Sequence, residues 1–321
     1  MTILVTGGLG FIGSHFVWAA RRAGRRVVVV DDRSGGTSPP LPPEVEVVTA
    51  DIGDRRALDD VCDRFSPRAL VHFAGKIQVG ESVANPGLYF DVNFTRALAM
   101  MEVARARGIE ETVFSSSAAV YGEPTVVPIP EGSPKHPVNP YGASKLAFEY
   151  LLEGFGVAYG LRWAALRYFN AAGASSDGSL REAHEPETHL IPLVIDAALK
   201  RRPPVRLFGT DYPTRDGTCV RDYIHVSDLA DAHLRALDLL AAGQTIGPLN
   251  LGTGVGSTVR EVIEAVRQVV GADVPQIVAP RRAGDSTSLV ADSARAHALL
   301  SWRPSRSDLA TIVEDAFRSR R

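Results

Sequence analysis

One stretch limits the fold more than any other. Thr6-Gly7-Gly8-Leu9-Gly10-Phe11-Ile12-Gly13 follows the apolar run Ile3-Leu4-Val5 and opens an amphipathic stretch over 11–23. Strand, glycine loop and helix in that order make a βα turn. Gly7 permits the tight turn, Gly10 lets backbone approach a pyrophosphate, and Gly13 lets helix and strand pack closely. Free N–H groups at the helix start attract phosphate charge. A second apolar run, 26–30, ends in Asp31-Asp32. A carboxylate at that distance suits the ribose 2′-hydroxyl of NAD and repels the 2′-phosphate of NADP, so NAD is the expected cofactor. A nucleotide-kinase loop needs Gly-Lys-Ser/Thr, and Gly13-Ser14-His15 lacks the lysine. On this motif alone an ordinary βα turn stays open.

The alternation continues. Apolar runs at 3–6, 26–30, 45–49, 69–73, 111–116 and 162–167 read as strands, with helical periodicity at 11–23, 55–65, 86–107 and 140–159. Repeated βα units predict a Rossmann-type, doubly wound parallel sheet covered on both faces. After Asn170, shorter strands at 205–208, 223–226, 249–251 and 276–279 alternate with helices at 191–200, 227–241, 258–270 and 308–318. The polar loop 171–187 reads as a domain boundary and substrate lip, and the Gly/Pro/Ser loop 34–43 as a mobile surface connection. The expectation is an α/β protein with an NAD-binding domain over 1–170, returning segments around 216–250, and a smaller C-terminal α/β substrate domain over 171–321.

Tyr141-Gly142-Ala143-Ser144-Lys145 carries the chemistry. The chain has only four lysines, Lys76, Lys135, Lys145 and Lys200, and one of them follows a tyrosine by one helical turn. A phenol is a feeble base near neutrality, and a neighbouring ammonium favours its anion. Asn139-Pro140 reads as N-cap and first-turn proline, which puts Tyr141 near the positive end of the helix dipole. The pair is a candidate proton-transfer device; alone, the same spacing also describes a surface Tyr/Lys pair.

Ligands of open α/β sheets bind beyond the carboxyl ends of the strands. There the sequence places His72-Phe73-Ala74-Gly75, Ser115-Ser116-Ser117 and Tyr168-Phe169-Asn170. Period two puts Ser115 and Ser117 on one face, where a serine beside the tyrosine could relay a sugar proton; turn chemistry explains three serines equally well. His72 and His225 lie in apolar strand-like runs and read as core histidines, and Trp18, Trp163 and Trp302 as packing residues.

Thr6 to Gly13, Phe73-Ala74-Gly75, Ser115 to Ser117 with Val120-Tyr121-Gly122, and the Tyr141/Lys145 pair resemble the extended short-chain dehydrogenase/reductase family. Arg167-Tyr168-Phe169-Asn170, Gly209 to Thr214, Asp216 to Val226, Asn250-Leu251-Gly252 and Arg281-Arg282-Ala283-Gly284-Asp285 narrow the likeness to its UDP-sugar 4-epimerases. The resemblance implies reversible inversion at C4 of a UDP-hexose through a transient 4-keto sugar and bound NAD. It implies Ser117, Tyr141 and Lys145 as the catalytic trio. It implies NAD contacts from Gly7, Gly10, Phe11, Ile12, Asp31, Asp51, Ile52, Phe73, Ala74, Gly75, Asn93, Ser115, Tyr141, Lys145 and Tyr168. Substrate contacts would come from Ser117, Tyr141, Asn170, His189, Leu190, Phe208, Arg221, Arg282, Asp285 and Leu289. Two arginines can neutralise a diphosphate, and Phe208 offers a face for uracil.

The chain departs from the family pattern at three places. Ile77 stands where relatives commonly carry lysine, Ala119 where threonine is frequent, and Leu289 where some have tyrosine. The smaller leucine leaves room for an N-acetyl group. UDP-pentose or UDP-uronate 4-epimerases are close alternatives. A nucleotide-sugar 4,6-dehydratase would need an acid pair where Ala118-Ala119 follows Ser117. An NAD-sensing binding protein without chemistry would be expected to lose the Tyr/Lys pair.

Composition excludes other classes. A net charge of −2 and a pI near 6.5 give no electrostatic case for nucleic acid or anionic membrane. Two cysteines, Cys62 and Cys219, form no disulfide framework, and the first strand leaves no room for a signal peptide, so a cytoplasmic protein is expected. No metal is expected: His184 and His189 flank Glu185 and Glu187, but Pro186 breaks any helix that would align them. The resemblance implies a homodimer formed through helices 86–107 and 140–159.

Overall fold

The structure is a computed structural model that describes residues 1–35, 39–282 and 285–321. The middle of the expected loop at 34–43, and Ala283-Gly284 of the 281–285 motif, lie outside the described residues. The first half runs β1 (Thr2–Thr6), α1 (Phe11–Arg22), β2 (Arg26–Asp31), β3 (Glu46–Thr49), α2 (Arg55–Phe65), β4 (Ala69–His72), α3 (Val79–Ala84), α4 (Pro86–Phe90), a π-helical segment (Asp91–Arg96), α5 (Ala97–Ala106), β5 (Glu111–Ser117), α6 (Pro140–Tyr159) and β6 (Arg162–Tyr168). The second half runs β7 (Asn170–Ala172), α7 (Leu190–Ala198), β8 (Val205–Phe208), β9 (Val220–His225), α8 (Val226–Ala241), β10 (Gly247–Leu251), β11 (Gly256–Thr258), α9 (Val259–Val270), β12 (Gln276–Ala279), β13 (Ser288–Leu289), α10 (Ala294–Leu300) and α11 (Leu309–Arg318).

Seven strands form one sheet in the order β10-β6-β5-β4-β1-β2-β3, and every pairing in it is parallel. Val27 to Val30 of β2 are all buried, as expected where helices cover both faces. Alternation along β1 sends Ile3 and Val5 to one core with Phe16, Val17 and Leu229, and Leu4 to the other with Leu58, Phe148 and Leu152. The chain order reverses at β1, between β2 and β4. That is where an open α/β sheet leaves a ligand crevice. The second half supplies α8, which packs on α1, and β10, the edge strand. The rest forms a mixed sheet in which β9 pairs with β7, β11 and β13, and a parallel β8–β12 pair. Ile191, Val194, Val262, Val266 and Ile312 fill a third core there. Among the described residues no helix is long and apolar enough to cross a membrane.

Several elements differ from the sequence expectation. The single helix expected at 86–107 is preceded by α3 and interrupted by the π-helical turn, which buries Asn93. The Asn93 amide accepts from Lys76 N at 2.8 Å and donates to Lys76 O and Ser144 Oγ, each at 3.0 Å. A tertiary clamp of this kind leaves no periodic signal. The strand expected at 223–226 starts earlier, at Val220, because β11 and β13 recruit 220–222. Strands of two or three residues, such as β7, β11 and β13, are too short for alternation to reveal.

Candidate active site

The glycine loop closes against the end of β4. Gly7 has φ +72° and donates to Val30 O at 3.0 Å. A Cβ on Gly7 would stand 2.5 Å from Ala74 N, and one on Gly13 2.2 Å from Gly7 O. Only glycine fits either place. Helix α1 starts at Gly10 without a side-chain cap, so its first N–H groups have no partner within the helix and suit an anion. Asp31, at the end of β2, accepts from Leu9 N at 2.9 Å and from Arg33 N at 2.8 Å. The carboxylate thereby ties the loop to the neighbouring strand end. Asp51 accepts from Gly53 N at 2.6 Å and pairs with Arg96, and Ile52 beside it is buried. Gly75 sits where a Cβ would stand 2.9 Å from Asn93 Oδ1. A glycine cradle, a helix N-terminus and an acid at the next strand end fit a dinucleotide with a free ribose hydroxyl.

The N-cap of α6 is Asn139, whose side chain accepts from Gly142 N at 2.9 Å, with Pro140 in the first turn. This cap sets Tyr141, Lys145 and Glu149 one turn apart along one side of the helix. The Ser117 side chain lies close enough to the Tyr141 phenol to favour its anion, while Ser117 Oγ accepts from Ala119 N at 3.2 Å. Its ring meets Tyr89 edge-on, with centroids 6.4 Å apart. Lys145 is 3% exposed and donates to Ser115 O at 2.9 Å, with Nζ 5.9 Å from the Tyr141 ring centre. Among the described residues no carboxylate lies within ion-pair distance of it. Burial pulls the ammonium down to about 8. Burial raises the Tyr141 phenol above its ordinary value, and the nearby Ser117 hydroxyl offsets part of that rise. The expectation that Lys145 lowers the phenol is therefore corrected. The protein's own groups raise it, because burial outweighs a cation whose hydrogen bond goes to a backbone carbonyl.

Of the remaining strand-end residues, Tyr168 is buried with its hydroxyl 3.0 Å from His233 Nε2, in register with Ser117. Phe73 packs on Phe16 and His233. His72 and His225 are fully buried and bonded, His72 to Thr6 Oγ1 and His225 to Ser227 N and Asp315, as core histidines are.

One group went unread in the sequence. Arg167 is fully buried and forms a bidentate pair with Glu149, at 2.9 and 2.5 Å. Glu149 also accepts from Ser116 Oγ at 2.5 Å. Arg167 donates to the Tyr121 hydroxyl at 2.8 Å, which donates to Asn250 Oδ1 at 2.7 Å. The network joins α6, β5, β6 and β10 directly behind Ser117 and Tyr141. Its signal was the spacing of Glu149, eight residues after Tyr141 on one helix face.

The expected substrate residues fall into three places. Asn170 and Arg221 sit on paired strands β7 and β9, and Leu289 lies opposite Arg221 in register. Leu289 packs on the cluster of Ala118, Val120, Tyr121 and Leu146, beside Ser117. Asp222 accepts from Thr253 N, Gly254 N and Ala291 N, and so pins this sheet to the end of β10. Phe208, Arg282 and Asp285 form a second group, with the guanidinium 5.5 Å over the ring and 2.8 Å from the carboxylate. His189 and Leu190 start α7, with His189 in a cluster with Glu182, His184 and Glu187. The reading that Pro186 keeps these groups apart is corrected. They converge from an irregular loop and need no helix. Among the described residues no hydrogen bond or ion pair joins these three places to one another or to Tyr141.

A family profile described as the NAD dependent epimerase/dehydratase family matches residues 3–252. The UDP-glucose 4-epimerase of Rhizobium meliloti is 50% identical over 315 residues, which is 98% of this chain and 95% of that protein. The crystal structure of UDP-glucose 4-epimerase from Brucella ovis in complex with NAD superposes with a TM-score of 0.95 at 43% identity, covering 98% of this chain and 97% of that one. The enzyme from Bifidobacterium longum in complex with NAD+ and UDP gives a TM-score of 0.94 at 36% identity, over 100% of this chain and 98% of that one.

Proposed function

The chain belongs to the NAD dependent epimerase/dehydratase family, and from that premise we propose that it is an NAD-dependent UDP-glucose 4-epimerase, interconverting UDP-glucose and UDP-galactose. One observation carries the reading: Ser117 and the Tyr141 phenol lie together beside a buried Lys145, at the strand ends next to the glycine cradle. Gly7, Gly10, Phe11, Ile12, Asp31, Asp51, Ile52, Phe73 to Gly75, Asn93, Ser115 and Tyr168 hold the dinucleotide in this proposal. When bound, NAD supplies a reversible hydride acceptor, through which the sugar passes as its 4-keto form.

Tyr141 Oη takes the proton of the sugar 4-hydroxyl, directly or through Ser117 Oγ, and returns it after the sugar has presented its other face. Lys145 orients the ribose, and the nearby Ser117 hydroxyl favours the phenolate. Arg221 and Arg282 neutralise the diphosphate. Phe208 stacks on the uracil, and Asn170, His189, Leu190, Asp285 and Leu289 line the nucleotide-sugar path. With leucine rather than the larger tyrosine at 289, the site accepts UDP-N-acetylhexosamines as well in this proposal. Ala118-Ala119 in place of an acid pair disfavours 4,6-dehydration.

The proposal extends to a homodimer through the helical stretch 86–107 and α6, where Phe90, Tyr150, Val157 and Tyr159 are exposed. It also extends to a cytoplasmic location, consistent with two unpaired, buried thiols. The test is incubation with UDP-sugars without added NAD and identification of products by NMR. UDP-galactose from UDP-glucose is the expected product, and UDP-pentose or UDP-uronate products alone would reassign the substrate. Tyr141→Phe should retain NAD and lose nearly all turnover; full activity would remove Tyr141 from the mechanism.

A further inference from the structure

Away from the strand ends, the loop leading into α7 gathers two imidazoles and two carboxylates. Glu182, His184, Glu187 and His189 each offer one ligand atom, and the four atoms lie within 4.8 Å of one another. His189 Nδ1 is 2.7 Å from Glu182 Oε1 and 3.0 Å from Glu187 Oε1. His184 Nδ1 is 3.4 Å from Glu182 Oε1 and 4.0 Å from Glu187 Oε1. Four donors at about 2.0–2.2 Å around a tetrahedral ion stand roughly 3.3–3.6 Å from one another. The observed nitrogen-to-oxygen distances straddle that edge length.

Hydrogen bonding leaves one group of the cluster without a partner. His184 Nδ1 is shut off from solvent and has no hydrogen-bond partner. His189 Nδ1 faces two carboxylate oxygens and can carry only one hydrogen. Two carboxylates therefore share one His189 hydrogen while His184 Nδ1 goes unbonded. One divalent cation would engage all four groups. Groups outside the cluster hold the ligands in place. Arg320 reaches Glu182 O at 3.1 Å and Glu187 Oε2 at 3.5 Å, and Glu187 Oε1 accepts from Thr188 N at 2.8 Å and His189 N at 2.9 Å. Such outer partners orient metal ligands. Two imidazoles suit zinc better than calcium or magnesium, which prefer all-oxygen shells.

We propose that Glu182, His184, Glu187 and His189 form a closed, four-ligand zinc site that fixes the loop before α7 and ties it to Arg320. The role is structural, because all four positions are taken by protein groups. With its ring committed to the ion, His189 meets the nucleotide through its backbone, next to Leu190.

The test is independent of turnover. Full-length protein is stripped with a chelator, titrated with Zn²⁺ alone, desalted and analysed for metal. The expected result is one zinc per chain, with a melting temperature about 5 °C higher at a hundredfold excess over Kd. Co²⁺ in its place should show the intense visible bands of a tetrahedral site. His184→Ala should weaken binding by roughly 100-fold or more, beyond what loss of an outer partner costs. Glu182→Gln should do likewise, with both variants checked for native circular dichroism. Folded wild-type protein that retains no zinc would overturn the proposal, and so would unchanged affinity in folded His184→Ala.

Discussion

Replacing Glu149 by glutamine tests whether the buried pair behind the site holds the reacting groups in place. Arg167 and Glu149 are 0% and 3% exposed, so the substitution leaves a guanidinium without its counter-charge in the interior. Burial by itself would lower the Arg167 pKa, but Glu149 outweighs it and keeps the group firmly protonated. The residual charge therefore cannot escape by losing a proton. Glutamine also offers one acceptor where the carboxylate takes bonds from Arg167 Nε, Arg167 Nη2 and Ser116 Oγ. Breaking a buried pair from one side costs about 3–5 kcal/mol. For a chain of this size that lowers the melting temperature by about 4–7 °C. Replacing both partners, Glu149→Met with Arg167→Met, should cost less than Glu149→Gln alone, because no unpaired charge remains. Calorimetry on the wild type, both Met singles, the double variant and Glu149→Gln measures the coupling. In parallel, kcat should fall in Glu149→Gln while the amount of bound NAD changes little, because Ser116 neighbours Ser117 and Glu149 shares its helix face with Tyr141. A Glu149→Gln protein that melts within a degree of wild type, or Met variants that simply add, would refute the reasoning.

Other expectations are narrower. Gly7→Ala and Gly24→Ala both place a side chain at φ +72°, a strain of about 1–2 kcal/mol, but only at Gly7 does the new Cβ meet backbone, 2.5 Å from Ala74 N. Both should lower the melting temperature and only Gly7→Ala should lose NAD; equal NAD content in the two would remove the close approach from the account. Ser117→Ala should reduce kcat by roughly 10²–10⁴-fold, the worth of a positioned proton-transfer group, and a loss below threefold would leave Ser117 a structural role. Lys145 has a folded pKa of about 8, below the ordinary lysine value of 10.5. Folding therefore carries the full cost of the ammonium below pH 8, and that cost fades as pH rises towards 10.5. Lys145→Met should then gain about 2 kcal/mol at pH 7, the relief of that cost less the lost bond to Ser115 O, while losing turnover. Thermal melts at pH 7 and pH 10 decide it: a gain that does not shrink with rising pH contradicts the assignment.

The parallel core, the glycine loop and α6 were legible because their causes are local. Apolar runs with period two, glycines at a turn, and Asn139-Pro140 as a helix start act over a few residues, and each element formed within a residue or two of its expected limits. The candidate Ser117, Tyr141 and Lys145 were legible for the same reason, since strand end and helix face follow from spacing. Tertiary structure alone decided the rest. Arg167 meets Glu149 and Tyr121 only because β6, α6 and the turn after β5 pack together. Asn93 faces Gly75 only because a π turn rotates it there. The Tyr141 pKa rises where local reasoning had it fall, because burial depends on every element that covers the ring. Glu182, His184, Glu187 and His189 converge through a loop without periodicity. Short-range order can be read along a chain, whereas desolvation and the pairing of buried polar groups depend on which distant segments come to lie beside one another.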